Sequence, residues 1–306
     1  VLAVRGRART GGAVAVGFDL QTLRFVMAAR EAGADFSEAI TLGRQNLHVG
    51  RDAYAREAAR FGLDAGPAAV DRVFSAYPYV DTLLTELGAR QANAFDASDY
   101  EGANFVADLN AELPDDLAGR FSLVIDGGTL EHVFDLPRAI RNVARMLRVG
   151  GHFISVNGAN NFMGHGFYQF SPELFYRVFS PENGFEVESL VLTEVNEDGI
   201  WYEVTDPAVA GERVTLVNNA RTYLMMRSRK VAEVAMFQRP PQQSDYHDVN
   251  WQQPEKKREM AYLQHPLPQR IVERYFPRPA RHLMRRVVQA SRRPFASPHL
   301  KRSREF

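Results

Sequence analysis

The run Phe121 to Ile154, FSLVIDGGTLEHVFDLPRAIRNVARMLRVGGHFI, restricts the fold of this chain more than any other stretch. Phe121 to Ile125 is short, apolar and β-branched, which suits a strand buried on both faces of a parallel sheet. Asp126 ends that strand, and Gly127 and Gly128 let the backbone turn sharply. Asp135 followed by Pro137 marks a helix start, and Ala139, Ile140, Val143, Met146 and Leu147 recur at helical spacing. Gly150 and Gly151 are expected to stop the helix, and Phe153 to Val156 supplies the next strand. Strand, helix and strand in this order make a right-handed crossover, whose ligands lie at the carboxyl ends of the strands. Asp126 to Val133 therefore falls where a ligand is expected.

The order of strand, acidic residue, Leu130-Glu131-His132-Val133, apolar helix and Leu147-Arg148-Val149-Gly150-Gly151-His152-Phe153-Ile154 resembles the second half of class I S-adenosylmethionine-dependent methyltransferases. Within that family it is most similar to the type 11/12-like members acting on small molecules, lipids and sugars. The resemblance spans roughly Ile40 to Lys230 and is most specific in its middle. It implies an α/β fold with a doubly wound, mostly parallel seven-stranded sheet of Rossmann-like form, a helical insertion and a C-terminal extension. It also implies S-adenosylmethionine as cofactor.

Upstream, Asp19 can cap a helix through about Ala32, with Leu20, Leu23, Val26 and Met27 on one face and Gly33 ending it. Phe36 to Leu42 reads as the first strand, stopped by Gly43. The family's loop after this strand carries an acidic residue and two or three glycines that let the backbone approach the cofactor. Here the corresponding run is Ala39-Ile40-Thr41-Leu42-Gly43-Arg44-Gln45, in which only Gly43 fits. Thr41 replaces the acid, and Gln45 replaces a close-approach glycine, where a side chain needs space or a different φ. The amphipathic stretches AYAREAARFGL and VDTLLTEL then flank a polar turn, an expected helical insertion or lid at about 46–88.

The second strand is expected at Gln91 to Phe95. In the family a carboxylate after this strand accepts hydrogen bonds from both ribose hydroxyls, and Asp96 takes that position, with Asp99 as second choice. An acid-rich turn that merely caps a loop explains either residue equally well in isolation, and position after a strand favours Asp96. Phe105 to Asn110 resembles the short strand whose terminal acid meets the adenine amino group, which assigns Asp108. The resemblance thus implies cofactor contacts at Gly43, Asp96, Asp108, Asp126 and Glu131.

Methyl transfer to a hydroxyl depends on in-line positioning and is helped by a base. His132 and His165 are the candidates for that base, because imidazole titrates near neutrality. His165 is preferred, since it sits in the polar, aromatic and glycine-containing loop Asn160 to Gln169, whereas cofactor packing or a structural hydrogen bond to the backbone accounts better for His132 than a role as base. Glu131 can orient His132 or bind an acceptor hydroxyl, or simply be a solvated loop acid. The acids and histidines are scattered and show no HExxH spacing, so no metal is expected. Asn157, Asn160, Asn161, Tyr168 and Gln169 are placed to hydrogen-bond a polyol or to build turns.

Farther along, Ser171-Pro172-Glu173 opens a helix that Gly184 ends, and Phe185 to Val195 and Thr222 to Val231 form an expected antiparallel pair. Asn196 to Arg221 reads as a polar excursion between them. The resulting division is an N-terminal arm and helix at 1–34, a methyltransferase-like domain at 35–236, and a proline-containing basic extension at 237–306.

Lysine plus arginine, 37, balances aspartate plus glutamate, 37, which argues against a general polyanion binder, so no specific nucleic-acid partner is expected. The basic, amphipathic RHLMRRVVQ stretch in the extension leaves peripheral membrane contact open. The absence of cysteine excludes disulfides and thiolate chemistry and fits a cytoplasmic protein. The expected activity is S-adenosylmethionine-dependent O-methylation of a small-molecule or sugar/glycan acceptor. The alternative is a non-catalytic methyltransferase-like binding or scaffold protein, motivated by Thr41, Arg44 and Gln45. A nicotinamide-dependent oxidoreductase falls behind both, because no G-x-G-x-x-G follows the first strand.

Overall fold

Side chains along the central strands point alternately into two apolar layers, and this period of two is what allows helices to cover both faces of one sheet. The computed structural model describes residues 17–196, 199–247, 295–296 and 299–304. The main sheet contains β1 (Ala39–Leu42), β2 (Asn93–Asp96), β3 (Phe105–Val106), β4 (Phe121–Asp126), β5 (Leu147–Asn160), β6 (Phe185–Glu194), β7 (Trp201–Val204), β8 (Thr222–Lys230) and β9 (Leu300–Arg304). Its order is β9-β7-β6-β8-β5-β4-β1-β2-β3.

Helices α1 (Leu20–Glu31), α2 (Arg51–Arg60), α3 (Pro67–Val73) and α4 (Asp81–Glu86) pack on one face with Ala39, Leu123, Ile125, Ile154, Val156 and Met225. Helices α5 (Leu136–Met146) and α6 (Pro172–Val178) cover the other with Ile40, Leu42, Val124, Phe153, Leu224 and Met226. The sheet is therefore doubly wound. It has nine strands where seven were expected, and it is mixed rather than mostly parallel. Pairs β1–β2, β1–β4, β2–β3 and β4–β5 are parallel. Pairs β5–β8, β6–β8, β6–β7 and β7–β9 are antiparallel.

The surplus strands arise from contacts distant in sequence. The stretch taken for a polar excursion contains Trp201-Tyr202-Glu203-Val204, whose ends are buried and whose middle is not. Trp201 packs edge-on against Phe25 of α1 with ring centroids 5.5 Å apart, and its Nε1 donates to Gln21 Oε1 at 3.0 Å. This anchors β7 to the sheet edge, and β9 from the far end of the chain pairs with it. The C-terminal extension thus returns to the domain at Leu300–Arg304. The RHLMRRVVQ stretch and Arg5, Arg7 and Arg9 lie outside the described residues. Among the described residues, no helix is long and apolar enough to cross a membrane.

The turn between α5 and β5 also departs from expectation. The helix stops at Met146, and β5 begins at Leu147, so Gly150 and Gly151 lie inside the strand. What ends the helix is a buried cation. Lys230 of β8 is only 3% exposed, and its Nζ donates to Ala144 O and Leu147 O, each at 2.8 Å, while pairing with Glu233 at 2.6 Å. A positive charge on the last carbonyls of a helix satisfies acceptors that have no intrahelical donor and opposes the helix dipole favourably.

Lys230→Met keeps most of the apolar stem and removes those donors. Two buried carbonyls then lose their partner, and urea denaturation should register a loss of about 2–4 kcal/mol; a change below about 0.5 kcal/mol would show that the cap is dispensable.

Candidate active site

The strand order reverses between β1 and β4: the chain leaves β1 toward β2 on one side and β4 toward β5 on the other. Loops after the two strands diverge there and leave a crevice at their carboxyl ends. Of the residues assigned to the site from sequence, Gly43, Asp126, Glu131 and His132 lie on these loops, Asp96 and His165 approach them, and Asp108 sits in a turn after β3.

Asp126 builds the crevice. The residue is fully buried at the end of β4, and its Oδ1 accepts from the Thr129 and Leu130 amides at 2.8 and 3.2 Å. Its Oδ2 accepts from Ser155 Oγ at 3.1 Å and Asn157 Nδ2 at 2.6 Å, both on β5. Burial pushes this carboxyl above the usual range, and the four donors oppose that shift. With its lone pairs so occupied, Asp126 shapes the loop instead of offering itself to a ligand.

The loop after β1 is tied to the loop after β4. Gly43, at φ +70°, donates to Phe95 O at 2.7 Å, and Thr41 Oγ1, in place of the expected acid, donates to Gly43 O at 2.7 Å. Thr129 Oγ1 donates across to Leu42 O at 2.7 Å. Gln45 is buried, with Nε2 donating to Leu42 O at 2.5 Å, while its Oε1 has no donor. A Cβ at Gly127 would stand 2.7 Å from that oxygen, so the glycine is what admits Gln45 over the β4 loop. Arg44 extends the other way. Its Nη1 donates to Glu101 O at 2.5 Å, and its guanidinium lies 4.0 Å over the Tyr79 ring.

Asp96 and Asp108 are differently placed. Asp96 is half-buried at the end of β2, with Oδ2 4.0 Å from where a Cβ on Gly43 would be, so it faces the β1 loop. Asp108 closes a local turn instead. Its Oδ1 accepts from the backbone and side-chain nitrogens of Asn110, both at 2.8 Å, and the backbone bond above all holds the carboxyl below its ordinary range. The same turn is clasped to α5, since Asn142 donates to Leu109 O and Ala111 O at 3.0 and 2.8 Å.

Glu131, His132 and His165 come together although the two histidines belong to different loops. Glu131 is 2% exposed, its Oε1 stands 3.5 Å from His165 Nε2, and its Oε2 has no donor. Burial, reinforced by the Asp126 charge, pushes its carboxyl up to about 8. The imidazole rings meet edge to face with centroids 4.9 Å apart. Burial lowers the pKa of His132, and burial together with His132 and Arg221 lowers that of His165. Both imidazoles are accordingly neutral near pH 7 and able to accept a proton. One ligand-capable atom from each of the three side chains lies within 4.8 Å of the others, which corrects the picture of scattered acids and histidines.

The loops meet because Gly166 carries no side chain: a Cβ there would stand 2.7 Å from Glu131 O. That carbonyl instead accepts from the Phe167 and Tyr168 amides at 2.7 and 3.3 Å. The polar residues considered for polyol binding are engaged internally. Asn157 holds Asp126, Asn160 and Asn161 donate to Asn218 Oδ1 at 2.8 and 2.9 Å, Tyr168 donates to Phe134 O at 2.6 Å, and Gln169 accepts from the Phe162 amide at 3.0 Å.

A recess of about 20 Å³ opens beside Glu131 and His165, lined also by Gly127, Thr22, Phe162 and Tyr223. Thr22, Phe162 and Tyr223 escaped the sequence reading. Phe162 and Tyr223 stack at 5.5 Å, and only the pairing of β5 with β8 puts them side by side. Phe134, Met163 and Phe167, on the loops that carry Glu131 and His165, are 71, 90 and 66% exposed, and Phe134 and Phe167 meet edge to face with centroids 5.7 Å apart.

No known family profile matches this chain, and no curated protein matches it in sequence. Among solved structures it is similar to the 1,6-didemethyltoxoflavin-N1-methyltransferase of Burkholderia thailandensis, solved with 1,6-didemethyltoxoflavin and S-adenosylhomocysteine, at 13% identity over 70% of this chain and 79% of that one, with a TM-score of 0.35. The branched-chain polyamine synthase of Thermus thermophilus, in complex with N4-aminopropylspermidine and 5'-methylthioadenosine, matches at 15% identity over 71% of this chain and 58% of that one, TM-score 0.36. The YcgJ protein of Bacillus subtilis matches at 13% identity over 69% of this chain and 99% of that one, TM-score 0.36. Likenesses this distant leave the fold resting on strand order and register.

Glu131 makes stability depend on pH. Its folded pKa, about 8, exceeds the ordinary 4.5, so its favourable contribution is complete below about pH 4 and disappears as pH rises through 8. Glu131→Gln, which mimics the protonated acid, should match the wild type in urea unfolding near pH 4 and exceed it by ~2–4 kcal/mol near pH 8. Parallel curves across that interval would show that Glu131 is ionised without penalty.

Proposed function

We propose that this chain is an S-adenosylmethionine-dependent methyltransferase that methylates an oxygen of a small molecule. The observation that carries the reading is Asp96 at the end of β2 facing Gly43 after β1, at the reversal of a doubly wound sheet. A carboxylate there is suited to accept both ribose hydroxyls of an adenosyl group. The resemblance of Leu130 to Val133 and Leu147 to Ile154 to the methyltransferase family supports the same reading.

The residues present fit the cofactor by a route different from the usual acid. Gln45 Oε1 and Glu131 Oε2 are buried acceptors without donors, and both stand on the crevice loops. Gln45 is placed to receive an ammonium group at the methionyl end, and Asp96 to hold the ribose. Arg44 and Gln45 fill space at the β1 loop, and a recess of about 20 Å³ holds about one water, so entry requires these side chains to swing aside. Asp126, already bonded on both oxygens, keeps the β4 loop fixed while they move.

When bound, the cofactor supplies a methyl group on a sulfonium. His165 serves as base: its neutral imidazole takes the acceptor hydroxyl's proton at a ring nitrogen, with Glu131 behind it. His132 keeps that ring oriented by edge-to-face contact. The exposed ring pair Phe134 and Phe167, on the loops that carry Glu131 and His165, favours an acceptor with an aromatic or aliphatic body over a sugar or glycan, because the asparagines of the His165 loop are already engaged. The occupancy of the β1 loop by Arg44 and Gln45 favours a second reading, a methyltransferase-like binding protein that has lost turnover.

Calorimetry with S-adenosylhomocysteine separates the two. The folded chain should bind it, Asp96→Ala should weaken binding by about 10- to 100-fold, and Asp108→Ala should matter less because that carboxylate closes a turn. Failure of the folded wild type to bind sinks the enzyme reading. His165→Ala should lower turnover about 100-fold or more while cofactor affinity holds; unchanged turnover would remove His165 as base.

A further inference from the structure

The cluster of Glu131, His132 and His165 has a donor set that proton transfer alone does not require. One carboxylate and two imidazoles are ligands of borderline character that suit first-row divalent ions such as Zn²⁺, Co²⁺ or Fe²⁺ better than Mg²⁺ or Ca²⁺, which prefer oxygen alone. Their ligand-capable atoms already lie within 4.8 Å of one another, and Glu131 Oε1 is 3.5 Å from His165 Nε2. Ligands about 2.1 Å from a tetrahedral cation stand about 3.4 Å apart, so rotations of the imidazoles within their own loops suffice to close the set.

Three further observations favour a built site over a chance encounter. Glu131 is 2% exposed yet its Oε2 has no donor, although it lines the recess; a buried acceptor without a donor is costly and marks a place for a missing electrophile. Among the described residues the ring nitrogens of the two imidazoles have no polar side-chain partner outside the cluster, His165 otherwise resting against the Phe162 ring, so the nitrogens are open to coordinate. Finally, the two loops are fastened together by backbone bonds: Glu131 O accepts from the Phe167 and Tyr168 amides, a contact that only Gly166 permits. The framework that holds a site is thus in place before any ion arrives.

We propose that Glu131, His132 and His165 bind one divalent transition-metal cation beside the recess. Three protein ligands leave a coordination position open, and here it opens toward the recess that Glu131 and His165 both line. An oxygen-bearing acceptor fits that position, with its apolar body against Phe134 and Phe167. The part concerning the acceptor rests on the methyltransferase reading, with His165 then a ligand instead of the base; the metal site does not rest on it.

Cobalt provides a test that does not depend on activity. The full chain, stripped with chelator and dialysed, is titrated with Co²⁺ and followed by visible absorption, where a mixed nitrogen and oxygen site gives ligand-field bands. One equivalent should bind, and Glu131→Gln, His132→Ala and His165→Ala should each weaken it by at least about tenfold, with His132→Asn and His165→Asn replacing any alanine variant that loses its circular dichroism spectrum. His299→Ala, far along the chain at the sheet edge, should leave the titration unchanged. Absence of bands in the wild type, or an unaltered titration in all the cluster variants, overturns the site. Calorimetry with S-adenosylhomocysteine on the same stripped protein reads the enzyme proposal independently: cofactor binding without Co²⁺ binding removes the metal site alone, and the converse removes the methyltransferase reading alone.

Discussion

A fully buried carboxylate is the constraint on which the crevice depends. Desolvating Asp126 pushes its carboxyl above the usual range, and two backbone amides, a serine hydroxyl and an asparagine amide together oppose that shift. Those donors come from two places, the loop after β4 and the strand β5. All four bonds can therefore form only when the loop has one conformation and the two strands one register. That conformation directs Glu131 inward and presents its carbonyl to the Phe167 and Tyr168 amides, which in turn brings the loop bearing His165 into place. A single ionisable group at the end of one strand thus sets the geometry of two loops.

The histidine pair follows from the same electrostatics. Glu131 stands near Asp126 in a dry environment, and the second negative charge is unfavourable, so its carboxyl takes up a proton until about pH 8. A neutral Glu131 gives His165 no anion to stabilise an imidazolium. Burial and the neighbouring His132 then keep the ring neutral. The two basic groups and the acid are held in their uncharged forms by burial above all, a state equally suited to proton acceptance and to ligation of a cation that brings its own charge.

How much of this was legible follows from the range of the interactions. The α5 helix start was readable because Asp135 caps it within three residues, accepting from the Arg138 amide, and the apolar positions repeat locally. The position of Asp96 after β2 was readable for the same reason. The end of α5 was not, because its cap is Lys230, some eighty residues downstream on β8. Nor could the strand β7 be recognised, since its four residues gain their apolar context from Phe25 of α1 and from β9. The roles of Asp108 and Asp126 show the same divide. Both are acids after strands, and only the donors around them distinguish a turn-former and a buried anchor from a ligand for cofactor.

The loop after β1 shows how a departure from a family pattern can be compatible with the same crevice. An acid and glycines leave room for a ligand by removing side chains; here Gln45 fills the room itself, and Gly127 on the facing loop makes space for it. The glutamine is held on one end only. Its nitrogen is bonded to Leu42 O, while its oxygen faces the β4 loop without a donor. Meanwhile the backbone of the loop is fixed independently, by Gly43 to Phe95, Thr41 to Gly43 and Thr129 to Leu42. Admission of a ligand then requires rotation of two side chains, Arg44 and Gln45, with no rearrangement of the strands. An acceptor that lacks a donor also gains one when an ammonium arrives, so the residue that closes the crevice is suited to hold what enters it.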